Sequence, residues 1–578
     1  MTTTVASERP ARSARWILPK APDEEAVHAL MQALSLPEIV CRLLLIRGYI
    51  SAADAKLFLR PKLDRLHDPL GFLSMDKAVE RLARAVREQE LVFIHGDYDV
   101  DGICSTTILT RVIRGLGGKA MPFIPRRIQD GYDLTDAGVD AAIAAEAKVV
   151  VTADCGTGAV APIARLCQSG IDVIVTDHHL PSGELPDCLA VLNPKRPGDG
   201  YPDKDLAAVG VVFKLALALA RELGANDNFV WAMLDLVALA TVADVAPLRG
   251  ENRVFVRYGL KMLADTRNIG MRALLRASGL DGKQLTAGRI GFILAPRLNA
   301  AGRLGHAIRG VELLLTDNEH EANTIARELE ELNQRRQDID RATLEQAREK
   351  VLAMDLDETF GIVLADDTWH PGVIGIVASR LVEEFGRPTV LIALSGDQGK
   401  GSGRSIPKYD LHGALGKAKD LLLRYGGHKA AAGVTIARDK VPEFAARFNE
   451  IARSMLTRAD LIPEIRVDLE VSIDGMDGRL ESLFRHFEPF GIGNPTPVLL
   501  ARNVVIARPP RAVGKDGLKL VLDTGTGSLD AIAWGLASRA SEFQPGSKVD
   551  VAFRLERDDY RGESYLQARI ADIRASEA

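Results

Sequence analysis

"LVFIHGDYDVDGICST", residues 91–106, is an apolar run that breaks into three acids on alternate positions, Asp97, Asp99 and Asp101, with Gly102 behind them. Residues 91–94 are short, continuously apolar and rich in strand-favouring types, as in a strand buried on both faces. Three carboxylates within five residues repel one another, so the segment requires positive charge among them. One Asp could cap the helix expected from about Cys104, but three cannot. The acids and Gly102 also fit the start of a calcium-binding EF-hand loop. That reading fails because the twelfth position, which needs a bidentate Glu, is Ile108, and because a strand rather than a helix precedes the loop.

The same rhythm recurs downstream. "KVVVTAD" ends in Asp154, "IDVIVTD" ends in Asp177 and leads into His178 and His179, and "ALATVADVAP" contains Asp244. Strand, loop and helix in repetition predict a parallel α/β sheet over about 76–265. Loops at the carboxyl ends of such strands face one crevice. Asp97, Asp99, Asp101, Asp154, His178 and Asp244 can therefore converge, and His95 stands at the end of the first strand. Carboxylates with an imidazole suit two hard divalent cations sharing a bridging carboxylate, about 3.5–4 Å apart, the arrangement that serves in-line phosphoryl displacement. A histidine among oxygens tilts the choice toward Mn²⁺ without excluding Mg²⁺.

A chain of 578 residues calls for three or four domains. We divide it into a helical lead-in (1–75), the α/β domain (76–265), a helical connector (266–355), a second α/β domain (356–458) and a small β-barrel (459–578). The connector contains a long polar run from Asp317 to about Met354 with a thin apolar stripe of Ile325, Leu329, Leu332 and Ile339. It reads as a largely solvated helix joining two domains, with a coiled-coil partner as the alternative. A net charge of −5 decides nothing about nucleic acid, since a basic groove can sit on an acidic protein. The five scattered cysteines suit a reducing cytoplasm, and the apolar runs are broken by charge, so a soluble cytoplasmic protein is expected.

Beyond the acids, "GSGRS" (401–405) reads as a Gly/Ser loop in which Ser402 and Arg404 approach a phosphate. "YGGHKAAAG" (425–433) reads as Gly427 and His428 at the start of a small-residue helix, where anions are favoured. "PRLNAAGRLGH" (296–306) offers Arg297 and Arg303 about Asn299 as strand-gripping residues. Arg502, Arg508, Arg511, Lys515 and Lys519 form a basic strip on the barrel, with Trp534, Tyr560 and Tyr565 as stacking candidates.

In order, "HGDYDVDG", "VTADCG", "VTDHH", "ATVADVAP", "PRLNAAGRLGH", "WHPGVIGIVASRL", "GSGRS", "YGGHKAAAG" and "EPFGIGNPTP" resemble the DHH phosphoesterase superfamily and, within it, the RecJ family of bacterial single-strand-specific exonucleases. The resemblance implies a DHH parallel-sheet domain, a long helix, a DHHA1 domain facing the metal site, and an oligonucleotide-binding barrel. It implies a 5′→3′ exonuclease on single-stranded DNA that uses two divalent cations, Mn²⁺ or Mg²⁺, in repair and recombination. Asp99 and Asp101 would then bind different metals and Asp154 would bridge them. His178 and Asp244 would complete one metal and either His95 or Asp97 the other. His179 would stand by the scissile phosphate. A single-strand-binding protein and a RecQ-type helicase are implied partners. Two alternatives compete: a phosphodiesterase for oligoribonucleotides or cyclic dinucleotides, and a non-catalytic scaffold. The filled acidic positions argue against the scaffold.

Overall fold

The structure is a computed structural model that describes residues 14–181, 183–560 and 563–576, without the side chains of residues 559, 560 and 563. Its first sheet has five parallel strands in the spatial order Lys119–Phe123, Leu91–Gly96, Val149–Ala153, Asp172–Thr176 and Ala190–Leu192. Val92 and Ile94 face a core shared with the helices Met75–Arg87, Val100–Gly115 and Ala208–Glu222. Phe93 faces the opposite core, shared with Asp136–Ala144 and Val160–Gln168. Burial on both faces explains why these strands carry no polar alternation. Strand order reverses between Leu91–Gly96 and Val149–Ala153, where a doubly wound sheet opens its crevice. The ladder runs one residue past each strand: the amides of Asp97, Asp154 and Asp177 bond to the carbonyls of Ala153, Thr176 and Leu192, each at 3.0 Å. The sheet thus fixes the backbone of all three acids.

The connecting helix, Glu319–Leu352, has 34 residues, about 50 Å at 1.5 Å per residue. Asn318 caps it, accepting from the amides of His320 and Glu321. Ala322, Ile325, Ala326 and Leu329 pack into the catalytic core, and Ala347 and Val351 pack into the second domain. Between these ends the buried stripe turns polar, with Asn333, Arg336 and Asp340, and Asp340 takes Arg380 of the second domain at 2.8 Å. The helix packs on its own chain at both ends.

The second domain holds a mixed sheet ordered Arg424–Gly427, Ala431–Ala437, Gln398–Arg404, Thr389–Ser395 and Ile362–Asp366. Two expectations are corrected here. "GSGRS" is mostly a strand: a Cβ on Gly399 would come 2.5 Å from Ile392, and one on Gly401 2.5 Å from Val434. These glycines admit neighbouring side chains on one face, while Lys400, Ser402 and Arg404 fall on the other. "YGGHKAAAG" is a hairpin rather than a helix start, with Gly427 at φ +132°, a conformation open to glycine, and the amide of His428 closing the turn on Ala431. Its alanines are small because Ala431 and Ala432 pair with Arg404 and Gly403 in a crowded sheet.

The C-terminal sheet is ordered Leu469–Glu470, Leu499–Val505, Lys548–Tyr560, Glu563–Ala575, Ser528–Ala533, Gly517–Asp523 and Arg511–Val513, and a bridge from Ile506 to Leu522 draws it closed as a barrel. The lead-in folds as three helices, Glu24–Leu34, Glu38–Ile46 and Ala52–Leu59, whose Val27, Leu44 and Phe58 share one apolar core with Phe487, Leu520 and Phe553 of the barrel region. Among the described residues no single helix is long and apolar enough to cross a membrane. Arg253, buried on the catalytic side, ties this unit down. Its guanidinium donates to the carbonyls of Phe58, Phe487 and His486 and lies 4.1 Å from the Phe58 ring centroid. Arg253→Ala removes the side-chain donor from the Phe58 and His486 carbonyls, at about 1–3 kcal/mol each, while Asn494 still donates to the Phe487 carbonyl. It is expected to split chemical denaturation into two transitions, the earlier one followed by Trp534 fluorescence. A single unshifted transition would show that Arg253 does not couple the units.

Candidate metal centre

Asp99 is the N-cap of the helix Val100–Gly115: its Oδ1 accepts from the amides of Asp101 and Gly102 at 2.9 and 3.2 Å, leaving Oδ2 for another partner. Asp101 points to the start of the helix Ala208–Glu222, where its oxygens accept from the amides of Ala208 and Val209 at 2.9 and 2.8 Å. Asp154 adopts φ +68° directly after its strand. This is a sparsely populated conformation for a residue with a side chain, of the kind that gathers at functional sites. Asp244 follows the apolar helix Leu234–Ala243, and Val245 behind it is also left-handed, at φ +61°.

These residues offer ligand atoms in overlapping groups: Asp97, Asp99 and Asp154; Asp101, His178 and Asp244; and Asp154, His178 and His179, each within 4.8 Å. Asp154 belongs to two groups, as a bridging carboxylate must. His178 Nε2 lies 3.4 Å from Asp154 and 3.6 Å from Asp244. Asp97 Oδ1, Asp154 Oδ1 and His178 Nε2 are buried without a hydrogen-bond partner, as is His95 Nε2, and the first three lie within the candidate groups, where a metal would partner them. Burial, reinforced by neighbouring carboxylates, pushes Asp97, Asp154 and Asp244 well above the usual carboxylate range and Asp101 up to about 7. Burial likewise drives His178 down to about 3, leaving it neutral and able to ligate. The donor set therefore fits divalent cations.

His95 is in none of these groups. It is fully buried, with Nδ1 3.7 Å from Cys155 Sγ and the ring against Gly138 of the helix Asp136–Ala144. Two residues after Phe93, it keeps to that residue's face of the sheet, where this helix covers it. Asp97 lies one residue past the strand's end, and it is Asp97, not His95, that shares the space of Asp99 and Asp154.

His179 Nδ1 lies 2.7 Å from Asp177 Oδ1, and its Nε2 is 3.3 Å from the Tyr132 hydroxyl. Burial lowers its pKa, but the Asp177 hydrogen bond and the surrounding acids outweigh that and raise it to about 9. Asp177 also accepts from the amides of Thr157, His178 and His179. It thus orients both histidines without joining the acidic groups. The "TDHH" order signals Asp177, but nothing in the sequence marks the Ala208 and Val209 amides, Tyr132, or Arg127, which lies over the Tyr98 ring at 4.6 Å.

The second domain faces this centre. Gly302 lets the helix Ala295–Leu304 approach the acid loop, since a Cβ there would come 2.6 Å from the Tyr98 carbonyl oxygen. Arg303 on that helix donates to the Gly372 carbonyl at 2.9 Å. Arg404 donates to Ser402 Oγ, and Gly375 makes space for both, a Cβ there meeting Ser402 Oγ at 2.8 Å. Lys400 reaches across to the Ile128 carbonyl. Burial pushes Arg303 down to about 10, with Arg127, Arg336 and Arg404 adding repulsion, so several guanidiniums crowd one place beside the acids. The exposed turn of Gly427 and His428 lies alongside, with Ser405 bonded to the Ala430 carbonyl. Asn299 is half-buried on the Arg303 helix. Arg297 is corrected: its guanidinium pairs with Glu330 and donates to the Ile293 carbonyl, joining two helices instead of facing the cleft. The barrel strip divides as well. Arg502 is held by Glu470 and Asp550 and Lys519 by Asp530, while Arg508, Arg511 and Lys515 are exposed and make no ion pair with a described residue. Trp534 and Tyr565 are half-exposed, and the Tyr560 side chain lies outside the described residues.

Three family models match the chain: the DHH family N-terminal domain over residues 91–241, the DHHA1 domain over 351–454, and the RecJ OB domain over 467–572. A relative from Bacillus subtilis (strain 168), named single-stranded-DNA-specific exonuclease RecJ, is 36% identical over 567 residues, covering 97% of this chain and 71% of that protein. The crystal structure of RecJ from Thermus thermophilus with Mn²⁺ superposes with a TM-score of 0.84 at 34% identity, covering 98% of this chain and 80% of that one. Its Mg²⁺ complex gives 0.79 at 32% identity, covering 98% and 79%.

Asp154→Asn is the sharpest test of the shared carboxylate, because asparagine tolerates positive φ and the fold should survive. The variant is expected to lose metal-dependent hydrolysis and at least one bound Mn²⁺ by calorimetric titration, whereas His95→Leu should retain both metals. Normal Mn²⁺ stoichiometry in Asp154→Asn would overturn the bridging role.

Proposed function

The chain belongs to the RecJ family of DHH phosphoesterases, and from that premise we propose how its residues divide the reaction on single-stranded DNA. The protein is a single-stranded-DNA-specific exonuclease, a hydrolase of phosphodiester bonds that uses Mn²⁺ or Mg²⁺. In our reading it acts 5′→3′ in the cytoplasm, in repair and recombination, with a single-strand-binding protein and a RecQ-type helicase as partners. The observation that carries the assignment of roles is the Asp154 carboxylate, which belongs both to the group of Asp97 and Asp99 and to the group of His178 and His179, beside a cluster of arginines. Asp97, Asp99 and Asp154 would hold one cation, and Asp101, Asp154, His178 and Asp244 the other. When bound, the two cations supply activation of the attacking water and neutralisation of charge on the phosphate oxygens.

The chain's own side chains do the rest. Arg303, Arg404, Ser402, Gly427 and His428 bind the terminal phosphate, the guanidiniums by paired donors. Their place across the cleft sets where the strand ends, and so which bond lies over the acids. His179, held by Asp177, donates a proton to the leaving oxygen as the phosphorus–oxygen bond breaks. Exposed Arg508, Arg511 and Lys515 follow the phosphates of the trailing strand. A phosphodiesterase for dinucleotides needs neither the barrel nor the long connecting helix, and the full-length relatives do not favour it.

Incubation with end-labelled single- and double-stranded DNA, with Mn²⁺, Mg²⁺ or chelator, tests the whole reading. Release of nucleotides from the 3′ end alone would refute the polarity. His179→Ala should lower turnover by about 10²–10⁴-fold with metal content intact, and loss of a bound metal would make His179 a ligand. Arg404→Ala removes charged hydrogen bonds worth about 1.5–3 kcal/mol each. It should raise KM on DNA roughly 10- to 150-fold while sparing a small artificial phosphodiester. Equal loss on both substrates would move Arg404 into the reaction centre.

A further inference from the structure

Asn252 is fully buried in the first turn of the helix Gly250–Ala264. Its amide nitrogen carries two hydrogens, and it donates to two backbone carbonyls, that of Asp205 at 2.6 Å and that of Pro247 at 3.1 Å. Both carbonyls belong to segments that build the metal centre. Asp205 stands three residues before Ala208, whose amide, with that of Val209, cradles Asp101. Pro247 stands three residues after Asp244. One side chain thus bridges the approach to the Asp101 cradle and the exit from Asp244, and these two acids share a candidate group with His178. Asn252 Oδ1 is buried without a hydrogen-bond partner, a cost that an apolar side chain of similar volume would avoid. The two donations are what an apolar side chain could not make.

The segment after Asp244 needs such a hold. Val245 has φ +61°, an outlier for a β-branched residue, and conformations of this kind persist only where the surroundings impose them. The Leu248 amide donates to the Ile492 carbonyl at 2.7 Å, which fixes the far end of the loop, while Asn252 holds the Pro247 carbonyl from inside. The platform under Asn252 is itself well anchored. Glu251, the residue before it, takes Lys214 at 2.7 Å and the Tyr201 hydroxyl at 2.5 Å, and all three are buried. The Glu251 amide donates to Asp203 at 2.6 Å. Lys214 lies on the helix Ala208–Glu222, the same helix that begins with the Asp101 cradle. The platform is therefore tied to the cradle's own helix, and Asn252 reaches from it to the loop of Asp244.

We infer that Asn252 is a positioning residue for the metal centre: it sets the spacing of Asp101 and Asp244, and with it the affinity for the cation that those acids and His178 would hold. The inference rests on the two-cation reading above. The test uses the full chain with Asn252→Asp, which replaces the donor nitrogen by a carboxyl oxygen, and Asn252→Leu, which removes the donors at similar volume. Circular dichroism in chelator first establishes that each variant is folded. Calorimetric titration with Mn²⁺ should then show one of the two sites weakened about 10- to 100-fold, the range for losing a group that orients a metal ligand. The other site should keep its affinity. On end-labelled single-stranded DNA, kcat should fall at limiting Mn²⁺ and recover when Mn²⁺ saturates, with KM for the DNA unchanged. An asparagine that serves only the fold would lower the unfolding temperature and leave both Mn²⁺ affinities as they were. Unchanged affinities, equal weakening at both sites, a kcat loss that saturating Mn²⁺ does not restore, or failure of both variants to fold would overturn the positioning role. Unsubstituted protein that binds a single Mn²⁺ would instead remove the two-cation reading, and that control tells the two failures apart.

Discussion

Asp97, Asp101, Asp154 and Asp244 are largely buried within reach of one another, with Asp99 at the same spot. Unneutralised charges at such distances repel strongly once water is excluded. The fold holds them there by backbone hydrogen bonding. Sheet carbonyls accept from the amides of Asp97 and Asp154, a helix start cradles Asp101, and Asp99 spends one oxygen on capping its own helix. What remains among the acids is Asp97 Oδ1, Asp154 Oδ1 and the His178 Nε2 without a hydrogen-bond partner, a set that a cation would complete.

The rest of the architecture brings a second surface to those acids. The connecting helix is apolar where it touches either domain and polar at its middle, where Asp340 links it to Arg380. Close approach then depends on residues without side chains. Gly302 seats the Arg303 helix on the acid loop, and Gly375 leaves room for Ser402 and Arg404. A methyl group at Gly302 would press on the acid loop, and one at Gly375 would crowd Ser402 and Arg404. The lead-in helices and the barrel, which come from opposite ends of the described chain, share one core, and Arg253 fastens that core to the catalytic side.

The parallel sheet, the long helix and the acids at strand ends were legible because apolar runs, charge and chain order are local properties. Arg297 and Arg303 look alike in "PRLNAAGRLGH", yet the first pairs with Glu330 and the second faces the cleft. Which arginine meets an acid is decided by a helix packed alongside, some thirty residues further on. The glycines of "GSGRS" and "YGGHKAAAG" read as loop and helix start because glycine is usually conformational punctuation. Here Gly401 and Gly403 make room for neighbouring side chains in a sheet, and Gly427 turns the chain within a hairpin.

By itself the sequence determined the order of the elements and the candidates for metal binding, because acids repeated at the ends of buried strands are suited to hold a cation. Only the tertiary structure places Asp97, and not His95, among the candidate ligand groups. The two are separated by a single residue in the chain, but His95 is still within the strand, sealed against Cys155 and Gly138, while Asp97 has passed its end and meets Asp99 and Asp154. It also decided that Asp154 is shared and that Ala208 and Val209 cradle Asp101. Those contacts join residues more than fifty and a hundred positions apart, and backbone amides leave no trace in a residue's letter.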